Sequence, residues 1–138
     1  MNQRVIKLLG EPTQNEDHAA SEAITPGHLI ERLSTNEVRK HATAAGNTAR
    51  MFALEREEMG QGVEVDYAIG DKVKAGTFPP GTRVAAYLAS GQNVNIGDKL
   101  ESAGNGTLRI LAAGVALATS CEDTGALTVA TRVAVEIL

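Results

Sequence analysis

A turn-rich stretch from Val63 to Gly106 constrains the fold of this 138-residue chain more than any other feature. It contains the phrase Ile-Gly-Asp-Lys twice, at residues 69–72 and 96–99, with Phe-Pro-Pro-Gly at residues 78–81 between the copies. Gly-Asp pairs favour tight turns, because glycine adopts positive φ and aspartate bonds the neighbouring backbone. A helix cannot run through Pro-Pro-Gly. Short strands separated by frequent turns are typical of an all-β domain, so the two copies are predicted to be two similar turns within it.

The segments between the turns alternate as strands do. In the C-terminal segment Val133, Val135 and Ile137 occupy one side, and charged or small residues occupy the other. This period of two indicates a strand with one buried face. Asn105-Gly106 between two apolar runs indicates a tight hairpin turn. We predict strands at residues 28–33, 37–41, 63–67, 72–75, 82–89, 99–102, 107–112, 114–121 and 127–138.

Residues 49–59 are the ambiguous part of the chain. They are rich in helix-forming residues, and propensity alone predicts a helix. Their apolar positions make a poor helical stripe, however, and Phe52 and Leu54 alternate with their neighbours. We therefore predict a strand at residues 49–56, followed by an acidic loop to Gly62.

Residues 1–24 are predicted to form an arm. Residues 5–9 are a short apolar run, whereas residues 11–22 are polar, lack periodicity and are expected to be a loose connector. The arm either completes its own sheet or reaches a neighbour, because an exposed strand edge can accept another strand. Deleting residues 1–20 is expected to leave the fold intact.

Composition favours a core of small aliphatic side chains. Apolar residues make up 43% of the chain and charged residues 22%, as in ordinary globular proteins, whereas aromatic residues are only 3%. A chain of this length usually forms one domain. We predict an all-β fold, a small antiparallel β-barrel or sandwich (jelly-roll-like) at residues 25–138, with the N-terminal arm extended from it.

Charge and hydropathy argue against several classes of partner. The net charge of −4 disfavours nucleic acid, which requires a basic face. The longest apolar run, residues 110–118, is too short to span a membrane, which takes about 20 residues. The apolar part of the N-terminus is too short for a secretory signal, so we expect synthesis in the cytoplasm.

The sequence contains no catalytic signature, and we expect the protein not to be an enzyme. His18, His28 and His41 lack metal-ligand spacing, and Cys121 is far from all three in sequence. The sequence also lacks a phosphate-binding loop and a nucleophile elbow. Adjacent acids such as Glu122-Asp123 are typical of solvated loops. We expect no metal site and no cofactor.

Two alternatives remain open. Biotinyl and lipoyl carrier domains are small β-barrels with turns of the form Gly-Asp-x-Val/Leu-x-x-Gly, and they modify one lysine at a hairpin tip. That turn phrase occurs here, but Lys72 and Lys99 belong to the phrase itself. The other alternative is a β-barrel module for a small ligand or glycan. The absence of tryptophan argues against stacking on sugars.

Turn and strand phrases spread over roughly residues 24–138 carry a resemblance to a known family. They are ITPGHLIE (24–31), RMFALE (50–55), DKV (71–73), PG (80–81), VAAYL (84–88), GQNVNIGDKLES (91–102), GNGTLR (104–109) and TRVAVE (131–136). Together these phrases resemble the head decoration (capsid cement) proteins of tailed bacteriophages.

This resemblance implies a non-enzymatic structural protein on the outer surface of the virion. Members of that family bridge neighbouring capsomers and strengthen the head against packaged DNA. The resemblance further implies that the major capsid protein is the partner and that the chain is a homo-oligomer, with a trimer favoured. The residues expected to make capsid or subunit contacts are Val5, Ile6, Leu8, Leu9 and Phe78.

Overall fold

The computed structural model describes residues 5–138, and this part of the chain is all-β. A 3₁₀ turn at Glu57–Met59 is the only helical element among the described residues. The strands are β1 (Lys7–Leu9), β2 (Thr13–Asn15), β3 (Ile30–Arg32), β4 (Val38–Lys40), β5 (Met51–Ala53), β6 (Ala75–Thr77), β7 (Arg83–Leu88), β8 (Lys99–Gly104), β9 (Thr107–Ile110), β10 (Ala118–Ser120) and β11 (Thr131–Ile137).

The strands form several antiparallel sheets. The largest has the order β1-β7-β11-β10-β8-β9, and its longest pairing joins β7 to β11 from Arg83–Glu136 to Leu88–Thr131. One parallel bridge, between Leu88 and Leu108, also links β7 to β9. A three-stranded sheet has the order β2-β6-β5, and β3 and β4 form a separate hairpin.

The buried side chains form two clusters. The first lies against the six-stranded sheet and includes Val84, Leu88, Leu100 and Val135. The second lies between the three-stranded sheet and the β3–β4 hairpin and includes Ile24, Ile30, Val38 and Tyr67. Strand β5 serves both, because successive side chains of a strand point to opposite faces. Phe52 enters the first cluster, as does Leu54 directly after the strand, and Ala53 enters the second.

Several predicted elements are confirmed. The predicted strand at residues 82–89 is β7, and the side chains of Val133, Val135 and Ile137 are all buried as the alternation of β11 requires. The ambiguous segment contains strand β5 rather than an α-helix. Asn105 has a φ of 52° and the following glycine a φ of 74°, as a tight turn between β8 and β9 demands.

The predicted strand at residues 63–67 is wrong. Only Tyr67 makes a bridge, and the N–H of Val65 donates to the carbonyl of Gly62 in a turn. Val63 and Tyr67 are both buried, but Val63 packs in the first cluster and Tyr67 in the second. The chain turns between them because the two side chains serve different cores.

The predicted strand at residues 72–75 is shifted towards the C-terminus. Lys72 makes an isolated bridge with Ala19, and β6 itself begins at Ala75. After the Gly-Asp turn, Lys72 first pairs with Ala19. The chain joins the three-stranded sheet only three residues later, at Ala75. The boundary therefore depends on a contact that is distant in sequence.

Residues 5–24 belong to the body of the fold. They contribute β1 to one sheet and β2 to another, and Ile6 and Ala20 are fully buried. The expectation of a loose connector at residues 11–22 is therefore wrong, since backbone pairing orders this polar segment without any apolar periodicity. Residues 1–4 of the predicted arm lie outside the described part of the chain.

Candidate interaction surface

Strand β1 forms an outer edge of the six-stranded sheet, where it pairs with β7. The Ala85 N–H donates to the Ile6 carbonyl over 2.8 Å, and the Ile6 N–H donates to the buried carboxylate of Glu55 over 3.0 Å. Leu9 lies on this strand with 53% of its surface exposed, and Val5, just before the strand, is 43% exposed. Among the described strands none pairs with the outer side of β1. Another chain can add a strand to such an edge, particularly where the edge carries apolar side chains.

The five residues predicted to make contacts separate into two groups. Val5 and Leu9 are exposed, and Leu8 is half-buried against the first core cluster. Ile6 and Phe78 are buried, and the Phe78 ring packs edge-on against Phe52 with ring centroids 5.9 Å apart. Within the described residues, these two side chains therefore hold the core of their own chain together.

The two copies of Ile-Gly-Asp-Lys form the same turn. Gly70 and Gly97 have φ values of 90° and 92°, which favour glycine. In both copies the carboxylate of the aspartate, Asp71 or Asp98, accepts the backbone N–H of the residue three positions earlier over 2.9 Å. The aspartate N–H donates to the carbonyl of that same residue over 3.0 Å. Each turn is thus closed by backbone and side chain together.

The surroundings of the two turns are also repeated. The first turn docks on Ala20 and the second on Ser120, each through two backbone hydrogen bonds of 2.8 to 2.9 Å. The lysine that follows each turn, Lys72 or Lys99, then pairs antiparallel with the residue preceding that docking residue. The sequence predicts the similar turns, but it carries no signal for the equivalent docking segments.

Each repeated turn presents an isoleucine to solvent. Ile69 is 73% exposed and Ile96 is 66% exposed, and each stands at the tip of its turn, one position before the glycine. Large apolar side chains on rigid turns are suited to contact with another protein. Lys72 and Lys99 are not at the tips, because they follow the turns and pair with neighbouring segments.

A cleft of about 280 Å³ opens between the three-stranded sheet and the β3–β4 hairpin. His18 is 6% exposed, and its Nδ1 donates to the Asn36 carbonyl over 2.9 Å. The lining residues include Thr13, His18, Glu31, Arg32, Met51 and Thr77. The cleft therefore offers hydroxyl, imidazole and charged groups beside one thioether.

Ser102, His41 and Glu31 form a chain of polar contacts that resembles a hydrolase triad in composition. His41 Nδ1 lies 2.7 Å from the Ser102 Oγ, and His41 Nε2 lies 3.9 Å from a Glu31 carboxylate oxygen. Ser102 is fully buried and His41 is 2% exposed, so the hydroxyl faces no open site where a substrate carbonyl could approach. In this structure the chain of contacts joins the hairpin to β8.

Glu101 is a second buried polar centre, and the sequence reasoning missed it. Its Oε1 accepts the N–H groups of Gly114, Ala112 and Ala113 at 2.7, 3.2 and 3.2 Å, and its Oε2 accepts Arg109 Nε at 2.8 Å. The bond from Gly114 is the main reason that the pKa of Glu101 lies at about 2, against the opposing effect of burial. The pairing of Glu101 with Arg109 could have been predicted, because the register of the β8–β9 hairpin places the two residues opposite each other.

The remaining chemistry of the described residues is sparse. Burial raises the pKa of the Cys121 thiol, which disfavours the nucleophilic thiolate. Within residues 5–138, no group of three or more His, Cys, Asp and Glu side chains is arranged to hold a metal ion. No helix in this range is long and apolar enough to cross a membrane. Comparison of the chain with known protein families and with curated proteins finds no match.

Proposed function

We propose that this protein is a non-enzymatic structural protein that decorates the outer surface of a bacteriophage capsid and stabilises it by bridging capsomers. The observation that carries this proposal is the outward presentation of Leu9 on the β1 edge and of Ile69 and Ile96 on two backbone-braced turns. The sequence phrases that resemble head decoration proteins include one of these turns, at Ile96.

The body of the protein suits such a bridging role. Its sheets are fastened by long-range bonds, for example Arg132, which donates to the carbonyls of Pro26 and Val63 and lies over the Tyr87 ring. Such bonds hold the exposed side chains of Leu9, Ile69 and Ile96 at constant positions relative to one another. The net charge of −4 also disfavours adhesion to packaged DNA.

The finer features of the proposal follow the resemblance. The partner is the major capsid protein, the chain assembles as a homo-oligomer with a trimer favoured, and its location is the outer face of the virion after synthesis in the host cytoplasm. The resemblance also implies a small jelly-roll-like barrel or sandwich. The protein acts without cofactor, metal, nucleic acid or membrane.

Binding to assembled shells tests the proposal. The protein should sediment with expanded empty heads of its own phage and should bind free capsid subunits more weakly. Leu9→Lys should reduce this binding at least tenfold, because it puts a charge on the apolar edge. Val129→Lys is the matched control, since Val129 is 65% exposed but lies outside β1 and both turns. No sedimentation with the shell would remove the proposal.

The carrier alternative is disfavoured by the position of the lysines. Lys72 Nζ lies 3.3 Å from the Asp17 carbonyl, and Lys72 and Lys99 both pair beyond the turn tips. The intact mass of the protein from its native host decides this alternative, because a carrier domain gains the mass of its lysine adduct. For the small-ligand alternative, the 280 Å³ cleft is the one supporting observation.

A further inference from the structure

The three histidines of the chain all lie at an end of the β3–β4 hairpin. His28 lies just before β3 and His41 just after β4, so together they flank the base of the hairpin. His18 contacts the opposite end, where its Nδ1 bonds the carbonyl of Asn36 in the turn. Each end of this two-stranded unit is therefore fixed by imidazole groups.

We propose that the β3–β4 hairpin is an acid-sensitive element, which detaches at its base when His28 and His41 take up protons. The hairpin suits this role because it is a sheet of its own. Two isolated bridges, Val38 with Ala20 and Leu29 with Phe52, and backbone hydrogen bonds to residues 19, 21 and 106 join it to neighbouring segments. Its buried side chains, Ile30 and Val38, would then become available to a partner or to solvent.

His28 is bound in a form that excludes a second proton. Its Nδ1 accepts the Thr25 N–H over 3.1 Å, so protonation of Nδ1 removes this bond. The ring stacks on Tyr87 with centroids 4.7 Å apart. The charged groups around it are Lys40, Arg132 and Asp66, of which two are cations. Burial, followed by those two cations, lowers the pKa of His28 to about 4.

His41 is also held in its neutral form. The Ser102 Oγ lies 2.7 Å from His41 Nδ1 and also accepts the Gly104 N–H over 3.2 Å, and in the Nε2–H tautomer the ring accepts the hydroxyl proton at Nδ1. The charged groups facing His41 are Glu31 from β3 and Arg39 from β4. Burial lowers the pKa of His41, and Glu31 opposes this effect. From that tautomer, a second proton at Nδ1 requires the Ser102 hydroxyl to rotate so that Oγ accepts the Nδ1–H.

The backbone bonds that tie down the base lie between these two histidines. The Leu29 N–H donates to Gly106, the Gly106 N–H donates to His41, and the His41 N–H donates to Leu29, at 2.8 to 3.0 Å. Charge at His28 and His41 therefore weakens the set of bonds that joins the hairpin to the β8–β9 turn. His18 behaves differently, because its bond to Asn36 needs only the Nδ1 proton, which both protonation states carry. Opening is thus expected to begin at the base.

Amide hydrogen exchange of the full chain, followed by NMR from pH 7.5 to pH 4 and corrected for intrinsic exchange rates, tests this proposal. Amides of residues 29–41 should lose protection at least tenfold more than those of β7 and β11 as the pH falls below about 6.5, the ordinary pKa of histidine. His28→Asn keeps an acceptor near the Nδ1 position but cannot be protonated. In this variant the hairpin amides should therefore lose protection only at a lower pH than in the wild type. His18→Asn, which keeps a donor, is the matched control and should leave the opening pH unchanged.

Two results would overturn the proposal. In the first, the amides of the hairpin and those of β7 and β11 lose protection at the same pH, because the whole domain unfolds rather than the hairpin alone. The second is an unchanged opening pH in His28→Asn. If that variant does not fold at pH 7.5, the ring signals of the wild-type histidines decide, and titration of His28 near its ordinary pKa with a closed hairpin also overturns the proposal.

Discussion

At the scale of single residues, the buried carboxylate of Glu101 governs part of the response to acid. Its pKa lies at about 2 in the folded chain, below the usual 4.5, so its ionised form stabilises the fold. This contribution is fully present above about pH 4.5 and is lost as the pH falls towards 2. We expect Glu101→Gln to lower the urea midpoint clearly at pH 7, and the difference from wild type to close between pH 4.5 and pH 2.

A surface glutamate provides the control for that measurement. Glu136 pairs with Arg83 at 3.4 Å, and both side chains are at least 40% exposed. Exposed pairs of this kind contribute about 0–1 kcal/mol. Glu136→Gln should therefore leave the urea midpoint almost unchanged at pH 7. Equal losses in the two variants would show that the bonds around Glu101 add nothing specific.

A second prediction at this scale concerns the contribution of Ile6 to the free energy of unfolding. It is fully buried in the first core cluster, whereas its neighbour Val5 is 43% exposed. Truncation of a buried isoleucine to alanine costs about 2–5 kcal/mol, while surface changes stay within about 0.5 kcal/mol. We expect Ile6→Ala, but not Val5→Ala, to lower the free energy of unfolding by that amount. For the same reason we now expect deletion of residues 1–20 to destabilise the fold.

At the scale of elements, the repeated turns should respond alike to substitution. Gly70 and Gly97 have positive φ, and no atom lies within 4 Å of the position that an added Cβ would occupy, so an alanine there is strained by its backbone alone. The cost of the left-handed conformation is about 1–2 kcal/mol. Thermal unfolding should show this loss in both Gly70→Ala and Gly97→Ala. Gly62→Ala, equally open but without positive φ, should be neutral, and a loss there would contradict this explanation.

The same elements show what a sequence can predict. Asn105-Gly106 specifies its turn through local backbone preference, and β11 specifies its buried face through period-two alternation, so both were predictable. Strand β2 was not, because Thr13–Asn15 is polar and exposed and is ordered by pairing with a distant strand. Residues 63–67 have the alternation of a strand, yet their two buried side chains serve different cores.

At the scale of the whole molecule, the polar centres differ in how far the sequence predicts them. Glu101 and Arg109 face each other across one hairpin, so a correct register is sufficient to pair them. Ser102 and His41 are 61 positions apart and meet only because the β3–β4 hairpin packs against β8. Burial of that serine also depends on tertiary packing. The sequence therefore supplies local turns and strand faces, whereas contacts between sheets require the assembled fold.

The exposed apolar side chains lead to a prediction about assembly. Leu9, Ile69 and Ile96 are each more than half exposed, and full burial of such a side chain contributes about 1.5–3 kcal/mol. Several of them buried together offset the entropy lost on association. We expect sedimentation velocity across a dilution series to give three times the 14.4 kDa chain mass. Ile96→Lys should shift the mass towards the single chain more than Val129→Lys does, and a single-chain mass at every concentration would contradict self-association through these residues.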